Sequence, residues 1–563
     1  MIKKPQFTVH DLLPAFDNMS IYEYFLASTW HHKEDYAMLQ FMGKDIMRSE
    51  FLADVDSLAY YFKEELGLQT GDAFTLFTPN TIEEVVMLFA LNKIGCIAAL
   101  VHPLIPTEAM RSSVEYTKSK GILILDAMAP LHAKALQEMG VKVVVCAPAV
   151  YAVPAEKKFA IRPNEQALSA CGEGFDYEFF GDILARNQGK TVDCIKRNGN
   201  ATALYMNGGG TTGVSRTIRL SSRNINAAIN DATDAFIAFD CPAGTYANIS
   251  ALPFFHAFGL CAVLLSALFS GQKSILMPKF DADEYIKLLK NNKIFEVVGV
   301  PNMFRKLLDT PEFYGEHLKH VRYAYIGGDN VPFDFLNRFN TIMAENGSIA
   351  LLMAGYGLTE CSACDTTNSL WAYKPGTVGT DLVYSHIEIF DDDYNVVPRG
   401  TVGELGMTGE VVMQGYLMPD GRENEGVYID KDGKRWVMTG DLASMDEEGF
   451  ITFIARKKRL IIIAGFNVFP ADIENLLEPL PFIHECCAVQ GYDDNQKPIV
   501  RLYITLSENG DIAKLDEYKK VITELCEEKL NSYSVPRDIR VLDAMPRTRM
   551  EKIDFVRLTE TLD

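Results

Sequence analysis

The stretch Met206-Asn207-Gly208-Gly209-Gly210-Thr211-Thr212-Gly213-Val214-Ser215-Arg216 decides how the chain is read. Three consecutive glycines let the backbone approach a ligand closely and turn its N–H groups inward. Two threonine hydroxyls, a fourth glycine and an arginine follow, which together suit a polyanion. Ala203-Leu204-Tyr205-Met206 before the loop and the alternating Thr217-Ile218-Arg219-Leu220 after it read as strands. The stretch is therefore a loop joining two strands and wrapping phosphates. Two other phosphate motifs are excluded. Gly208-x-Gly210-x-x-Gly213 has dinucleotide-fingerprint spacing, but that fingerprint must open a helix and here a strand pattern follows. Gly208 and Gly213 have P-loop spacing, but Val214-Ser215 stands where Lys-Ser/Thr is required.

Working outward, 563 residues exceed what one core supports, so two or more domains are expected. With 48% hydrophobic and 23% charged residues the composition is that of a globular protein. A net charge of −21 disfavours nucleic acid and anionic membrane surfaces as partners, so an anionic substrate needs locally placed cations. Eleven scattered cysteines fit reduced thiols in a cytoplasmic enzyme better than a disulfide scaffold. Cys361-Ser362-Ala363-Cys364 is a lone CxxC and gives little support to a metal or redox site. The N-terminus lacks a signal-peptide apolar run, and Gly259 to Phe269 is too short to span a bilayer and reads as a buried helix.

From Ile21 to about Asp126, amphipathic helices alternate with short apolar strands, as in a parallel sheet covered by helices. Thr81 to Ile94 reads as a helix with Thr81 as N-cap and Gly95 as its stop. Gly121 to Leu125 and Val141 to Val145 read as buried parallel strands. Residues 151–200 read as an irregular surface excursion. Tyr323-Ala324-Tyr325-Ile326-Gly327-Gly328-Asp329 ends a strand in glycines, where α/β sheets place ligands. After Gly376, short β segments through Thr439-Gly440-Asp441 suggest a small barrel. The basic run Arg456-Lys457-Lys458-Arg459 is read as a linker to a small α+β domain. The expected fold is α/β: a large domain of helix-covered sheets with a small β-barrel over 1–457, and a mobile C-terminal domain over 458–563.

Five motifs occur in one order: the glycine loop, Gly355-Tyr356-Gly357-Leu358-Thr359-Glu360, Thr439-Gly440-Asp441, Arg456-Lys457-Lys458, and Pro546-Arg547-Thr548-Arg549-Met550-Glu551-Lys552. This ordered set resembles the adenylate-forming superfamily of acyl-CoA ligases, firefly luciferase and peptide-synthetase adenylation domains, over nearly the whole chain. Gly465-Phe466-Asn467-Val468-Phe469-Pro470-x-x-Ile473-Glu474 is similar to fatty acyl-CoA ligases in particular.

The resemblance implies activation of a carboxylic acid with ATP and Mg²⁺ to an acyl-adenylate, which a thiol then attacks. By similarity Thr211, Thr212 and Gly213 wrap the β- and γ-phosphates with Arg216 as their cation, and Glu360 holds Mg²⁺. Thr359 contacts the α-phosphate, Tyr356 stacks on adenine, and Gly328, Asp329 and Asn330 line the adenine pocket with Gly357 nearby. Asp441 accepts from the ribose hydroxyls, with Arg456 beside it. Lys458 falls at the family's hinge, and Lys552 matches the mobile lysine bridging carboxylate and α-phosphate. His256, Gly327 and Gly357 border the acyl pocket. Glycine at 357, where acetate-activating relatives carry tryptophan, leaves room for an acyl group larger than propionate, aliphatic or aromatic.

Two departures stand out. The family loop usually ends Gly-x-Pro-Lys-Gly, and here it ends Gly213-Val214-Ser215-Arg216-Thr217; Glu551 replaces a usual glycine beside Lys552. The leading expectation is a cytoplasmic carboxylate–CoA ligase for a medium- to long-chain or aromatic acid, monomer or homodimer. The rivals are an acyl-AMP ligase loading a carrier protein and a nucleotide-binding pseudoenzyme.

Overall fold

Two large sheets grow from the alternating apolar segments of the first 440 residues. The structure, a computed structural model, describes residues 15–29, 32, 34–196, 198–208, 216–235, 243–329, 331–418, 427–463, 466–493, 496–547 and 553–560. One sheet has eight strands, ordered Gly415–Leu417, Thr217–Ser221, Thr202–Asn207, Ile97–Leu100, Ala73–Phe77, Gly121–Leu125, Lys142–Cys146 and Glu178–Phe179. It is parallel from Thr202–Asn207 onward and antiparallel across its first two pairings. The other has nine strands, with a parallel centre running from Leu352–Tyr356 through Tyr323–Ile326, Ile294–Gly299, Ala247–Ser250 and Lys273–Leu276 to Ala37–Phe41. Strands Gly121–Leu125 and Lys142–Cys146 are nearly continuous apolar runs because helices cover both faces of a parallel sheet. The α/β class expected from the sequence is the fold observed.

Local signals operate as read. Helix Ile82–Lys93 starts at Thr81, whose hydroxyl accepts the Glu84 amide, and Gly95 ends it at φ +74°. All twelve of its residues are buried, so it lies in the interior. The apolar run around Gly259 is helical, but Phe258–Leu265 is π-helical before Ser266–Phe269 returns to α. Residues 151–200 correct the sequence reading. Helix Phe180–Asn187 buries Phe180, Ile183 and Leu184, an i, i+3, i+4 stripe short enough to be hidden by its polar surroundings.

The described residues fall into two compact units. One lies within Met1–Gly208, Ser215–Ile387 and Met407–Val437, the other within Glu388–Gly406 and Met438–Asp563. The division crosses strands Ser385–Phe390, Gly403–Gly409 and Arg435–Met445. These, with Val427–Ile429 and Ile451–Arg456, form a five-stranded sheet where a small barrel was expected. The C-terminal part has its own core. Strands Ile483–Tyr492, Pro498–Leu506 and Asp538–Val541 pack against Pro470–Leu477 and Leu515–Lys529 through Ile473, Leu477, Leu502 and Ile522. Among the described residues no helix is long and apolar enough to cross a membrane.

Glu296, in the middle of the nine-stranded sheet, is fully buried beside Asn248. Burial pushes its carboxyl up to about 8. Folded chain thus keeps a proton that unfolded chain releases near its ordinary value of 4.5, so the stability this group contributes below that pH is lost as pH rises towards 8. Glu296→Gln, isosteric with the neutral acid, is expected to match wild type in thermal unfolding at pH 5 and to exceed it at pH 8.5, by on the order of 3 kcal/mol. Parallel melting curves for the two proteins across that range would contradict this.

Candidate active site

The glycine loop hangs from an antiparallel pair, as its flanks indicate. Strands Thr202–Asn207 and Thr217–Ser221 pair with Asn207 opposite Thr217, and the Gly208 amide donates to the Arg216 carbonyl at 3.0 Å. Thr211, Thr212 and Gly213 lie outside the described residues, as do Asn330 and Lys552.

The second motif is also a strand connection. Leu352–Tyr356 pairs antiparallel with Thr366–Thr367, and the residues between them fold into a turn that includes the 3₁₀ segment Thr359–Cys361. Glu360 meets the glycine loop there, because a Cβ built on Gly208 would stand 3.5 Å from Glu360 Oε1. The Tyr416 hydroxyl donates to the same oxygen at 2.9 Å. The Arg216 guanidinium lies 5.2 Å from the Tyr416 ring centroid, a cation–π contact. Burial and the adjacent Glu360 charge raise the Tyr416 phenol, so it stays protonated as the donor. Tyr416 is the residue that sequence reasoning missed. Its only signal is its place on Gly415–Leu417, the strand that pairs with Thr217–Ser221 after the loop.

Three strand ends converge beside this group. Gly327 donates its amide to Gly299 at 3.3 Å, and its built Cβ would lie 3.2 Å from the Gly355 carbonyl and 3.8 Å from the Phe258 ring. Gly328 has φ +83°, the left-handed conformation that favours glycine, and both it and Asp329 are exposed. Tyr356, Gly357 and Thr359 are half-buried, and His256 is half-buried with its ring 4.9 Å from Phe255. The Phe255 ring in turn lies 4.3 Å from that of His102, tilted to it by 32°. Buried Asn80 holds this segment in place, donating to the Ser250, Leu252 and Met277 carbonyls and accepting the Phe254 amide. It too was missed.

Gly357 requires a correction. A Cβ there would stand 1.5 Å from the Ala363 carbonyl oxygen, so glycine is demanded by the turn's own backbone, and a wide acyl pocket does not follow from it. Burial raises the thiols of Cys361 and Cys364 in the same turn.

The remaining motifs belong to the second compact unit. Asp441 is fully buried on Arg435–Met445, register partner of Arg456, whose Nε lies 3.1 Å from Asp441 Oδ1. Thr439 Oγ1 accepts the Asp441 amide and donates to the Leu405 carbonyl, and the Gly440 amide donates to Glu404. A buried carboxylate facing a half-exposed guanidinium suits vicinal hydroxyls. Lys457 pairs with Asp392 and Glu404, whereas Lys458 is exposed in the 3₁₀ turn Lys457–Arg459. Arg547 and Ile553, which flank the Lys552 motif, pair as an antiparallel bridge.

Comparison with known proteins identifies the family. The family model described as AMP-binding enzyme matches residues 26–417, and that of the AMP-binding enzyme C-terminal domain matches 472–552. A long-chain-fatty-acid–CoA ligase of Yersinia pestis is 28% identical over 506 residues, covering 88% of this chain and 86% of its own. One from Bacillus subtilis is 25% identical over 533 residues, 93% and 92% of the two chains. Among solved structures, ATP-bound MatB from Rhodopseudomonas palustris superposes with a TM-score of 0.80 at 22% identity, over 96% of this chain and 99% of its own. The o-succinylbenzoate CoA synthetase MenE of Bacillus subtilis, in complex with its acyl-adenylate, gives 0.74 at 20% identity, over 97% and 99%. These two likenesses concern the fold. With its glycine loop, its Glu360 turn and most of its length inside the family model, the chain belongs to the AMP-binding enzyme family.

Proposed function

We propose that the protein is an ATP-dependent acid–thiol ligase that makes an acyl-adenylate and transfers the acyl group to CoA. The observation that carries this is the assembly of Arg216, Tyr416 and Glu360 at the neck of the glycine loop. One cation and one carboxylate close to the loop are the charges that a polyphosphate and its counter-ion call for, which supports this reading. In the first half-reaction a carboxylate oxygen bonds to the α-phosphorus and the α–β phosphoanhydride bond breaks, releasing pyrophosphate. In the second, a thiol attacks the acyl carbon and AMP leaves.

The residues divide this work by their chemistry. Thr211, Thr212, Gly213 and Arg216 hold the β- and γ-phosphates, and Thr359 the α-phosphate. Among the described residues the Thr359 hydroxyl makes no hydrogen bond, so it is available to donate. Tyr356, Gly357, Gly328, Asp329 and Asn330 frame the adenine, and Asp441 with Arg456 takes the ribose. Glu360 fits Mg²⁺, since a hard carboxylate oxygen beyond the one bound by Tyr416 is left for it, and the ion supplies charge neutralisation on the polyphosphate. Lys552 neutralises the approach of two anions during adenylation. Lys458 is the hinge of a C-terminal domain spanning 458–563.

The acid is proposed to be a medium- to long-chain fatty acid, because long-chain-fatty-acid–CoA ligases align along most of the chain. Aromatic acids are the second class to test, since MenE shares the fold. His256 and Gly327 border the acyl chain on this reading. CoA is favoured over a carrier protein for the same reason as the fatty acid.

Acid-dependent ATP–pyrophosphate exchange, followed by mass spectrometry of thioester products with CoA or carrier protein offered, tests the reading. Exchange with no acid of the panel would leave a nucleotide-binding pseudoenzyme. Lys552→Ala is expected to abolish exchange yet preserve thioester formation from supplied acyl-adenylate; equal loss of both half-reactions removes the role given to it. Tyr416→Phe deletes one hydrogen bond to a charged group, so kcat/KM for ATP should fall about tenfold with folding intact. An unchanged value in steady-state kinetics would show that Glu360 needs no such support.

A further inference from the structure

The turn that presents Thr359 and Glu360 is folded back tightly on itself. Leu358 O accepts the amides of Cys361 and Ala363, Thr359 O accepts that of Ser362, and Tyr356 O accepts that of Asp365. Two adjacent non-glycine residues, Ser362 and Ala363, take φ +63° and +116°, conformations that L residues adopt only when their surroundings impose them. The Ala363 carbonyl occupies the space a side chain at Gly357 would need. Outside the turn, Ser362 Oγ donates to the Val411 carbonyl, and the Met413 amide donates to the Glu360 carbonyl. Each of these bonds uses a backbone acceptor.

One bond does not. The Leu358 amide, directly before Thr359, donates to Asp365 Oδ2 at 3.3 Å, and that oxygen lies 3.0 Å from a Cβ built on Gly357. Asp365 is completely buried, and its Oδ1 has no hydrogen-bond partner among the described residues. Its own carbonyl accepts from Ser385 Oγ, which fixes the residue's backbone independently of its side chain. A buried carboxyl with one oxygen unpartnered is a poor stabiliser of a fold, so its presence here points to a local task.

We propose that Asp365 is a positioning residue for adenylation: by holding the Leu358 amide against Gly357 it sets the strained turn that presents Thr359 and Glu360. The inference rests on the functional reading of those two residues. Burial raises the Asp365 carboxyl, the Leu358 amide lowers it, and the charges of Asp231 and Glu360 raise it further. An asparagine oxygen can accept the same Leu358 amide, whereas an apolar side chain of similar size cannot.

The test compares Asp365→Asn and Asp365→Leu with wild type in ATP–pyrophosphate exchange, alongside thermal unfolding. Asp365→Asn should keep kcat within about threefold. Asp365→Leu, which removes the unpartnered oxygen, should melt no lower than wild type yet lose at least about tenfold in kcat with little change in the KM for ATP, because the misplaced contacts are those made in the transition state. Leucine retaining wild-type kcat, or asparagine falling as far as leucine, overturns the proposal. Asp365→Ala, which removes the same acceptor without adding bulk, guards against a leucine variant that does not fold and should lose kcat similarly. Absence of exchange in the wild-type protein is a different result, one that removes the ligase reading itself.

Discussion

The contact between Tyr416 and Glu360 is the constraint on which the first unit's site depends. Glu360 is carried by a turn at the edge of the nine-stranded sheet, and Tyr416 by an edge strand of the eight-stranded one. Residues 411–417 therefore stitch the two sheets together. Val411 O accepts Ser362 Oγ, the Met413 amide binds the Glu360 carbonyl, and Gly415 pairs with Arg219 beyond the glycine loop. Because the same short segment pairs with the loop's hairpin and grips the carboxylate's turn, the distance between loop and carboxylate is set by covalent geometry and strand register. Flexible side chains do not have to find it.

The polar groups around the site divide the labour between charge and shape. The chain is strongly acidic overall, so on the proposed function a polyphosphate has to be held by locally placed cations, the role proposed for Arg216. Tyr416 serves both charges at once, its ring face towards Arg216 and its hydroxyl towards Glu360. The arginine that replaces the family's usual lysine in the loop acquires a physical rationale here, since a planar guanidinium stacks on an aromatic face and an ammonium is a point charge.

In the second unit, Asp441 is held by three local devices: the Thr439 hydroxyl, the left-handed Gly440 and strand register with Arg456. A carboxylate buried this way costs desolvation, and the guanidinium opposite offsets it. The short motif Thr439-Gly440-Asp441 thus encodes an anchor, a bend and a buried carboxylate in three consecutive positions.

Much of this was legible in the sequence because it is local. Strand alternation around the glycine loop, the Thr81 cap, the Gly95 stop and the apolar parallel strands all depend on neighbours a few residues apart, and all appear where their patterns place them. Asp441 opposite Arg456 was signalled by motif order. What depends on distant packing was not legible. The helix Phe180–Asn187 is hidden in a polar stretch because its burial comes from elsewhere in the fold. Gly357 looked like an opening in a pocket, yet its lack of a side chain is required by Ala363 O six residues on. Tyr416, Asn80 and Asp365 carry no motif of their own, and their importance arises only where folding brings separate strands and turns within hydrogen-bond reach. Sequence alone determined the fold class and the chemical kit; tertiary structure decided which groups touch, because hydrogen bonds and steric limits act over a few ångströms and link residues far apart along the chain.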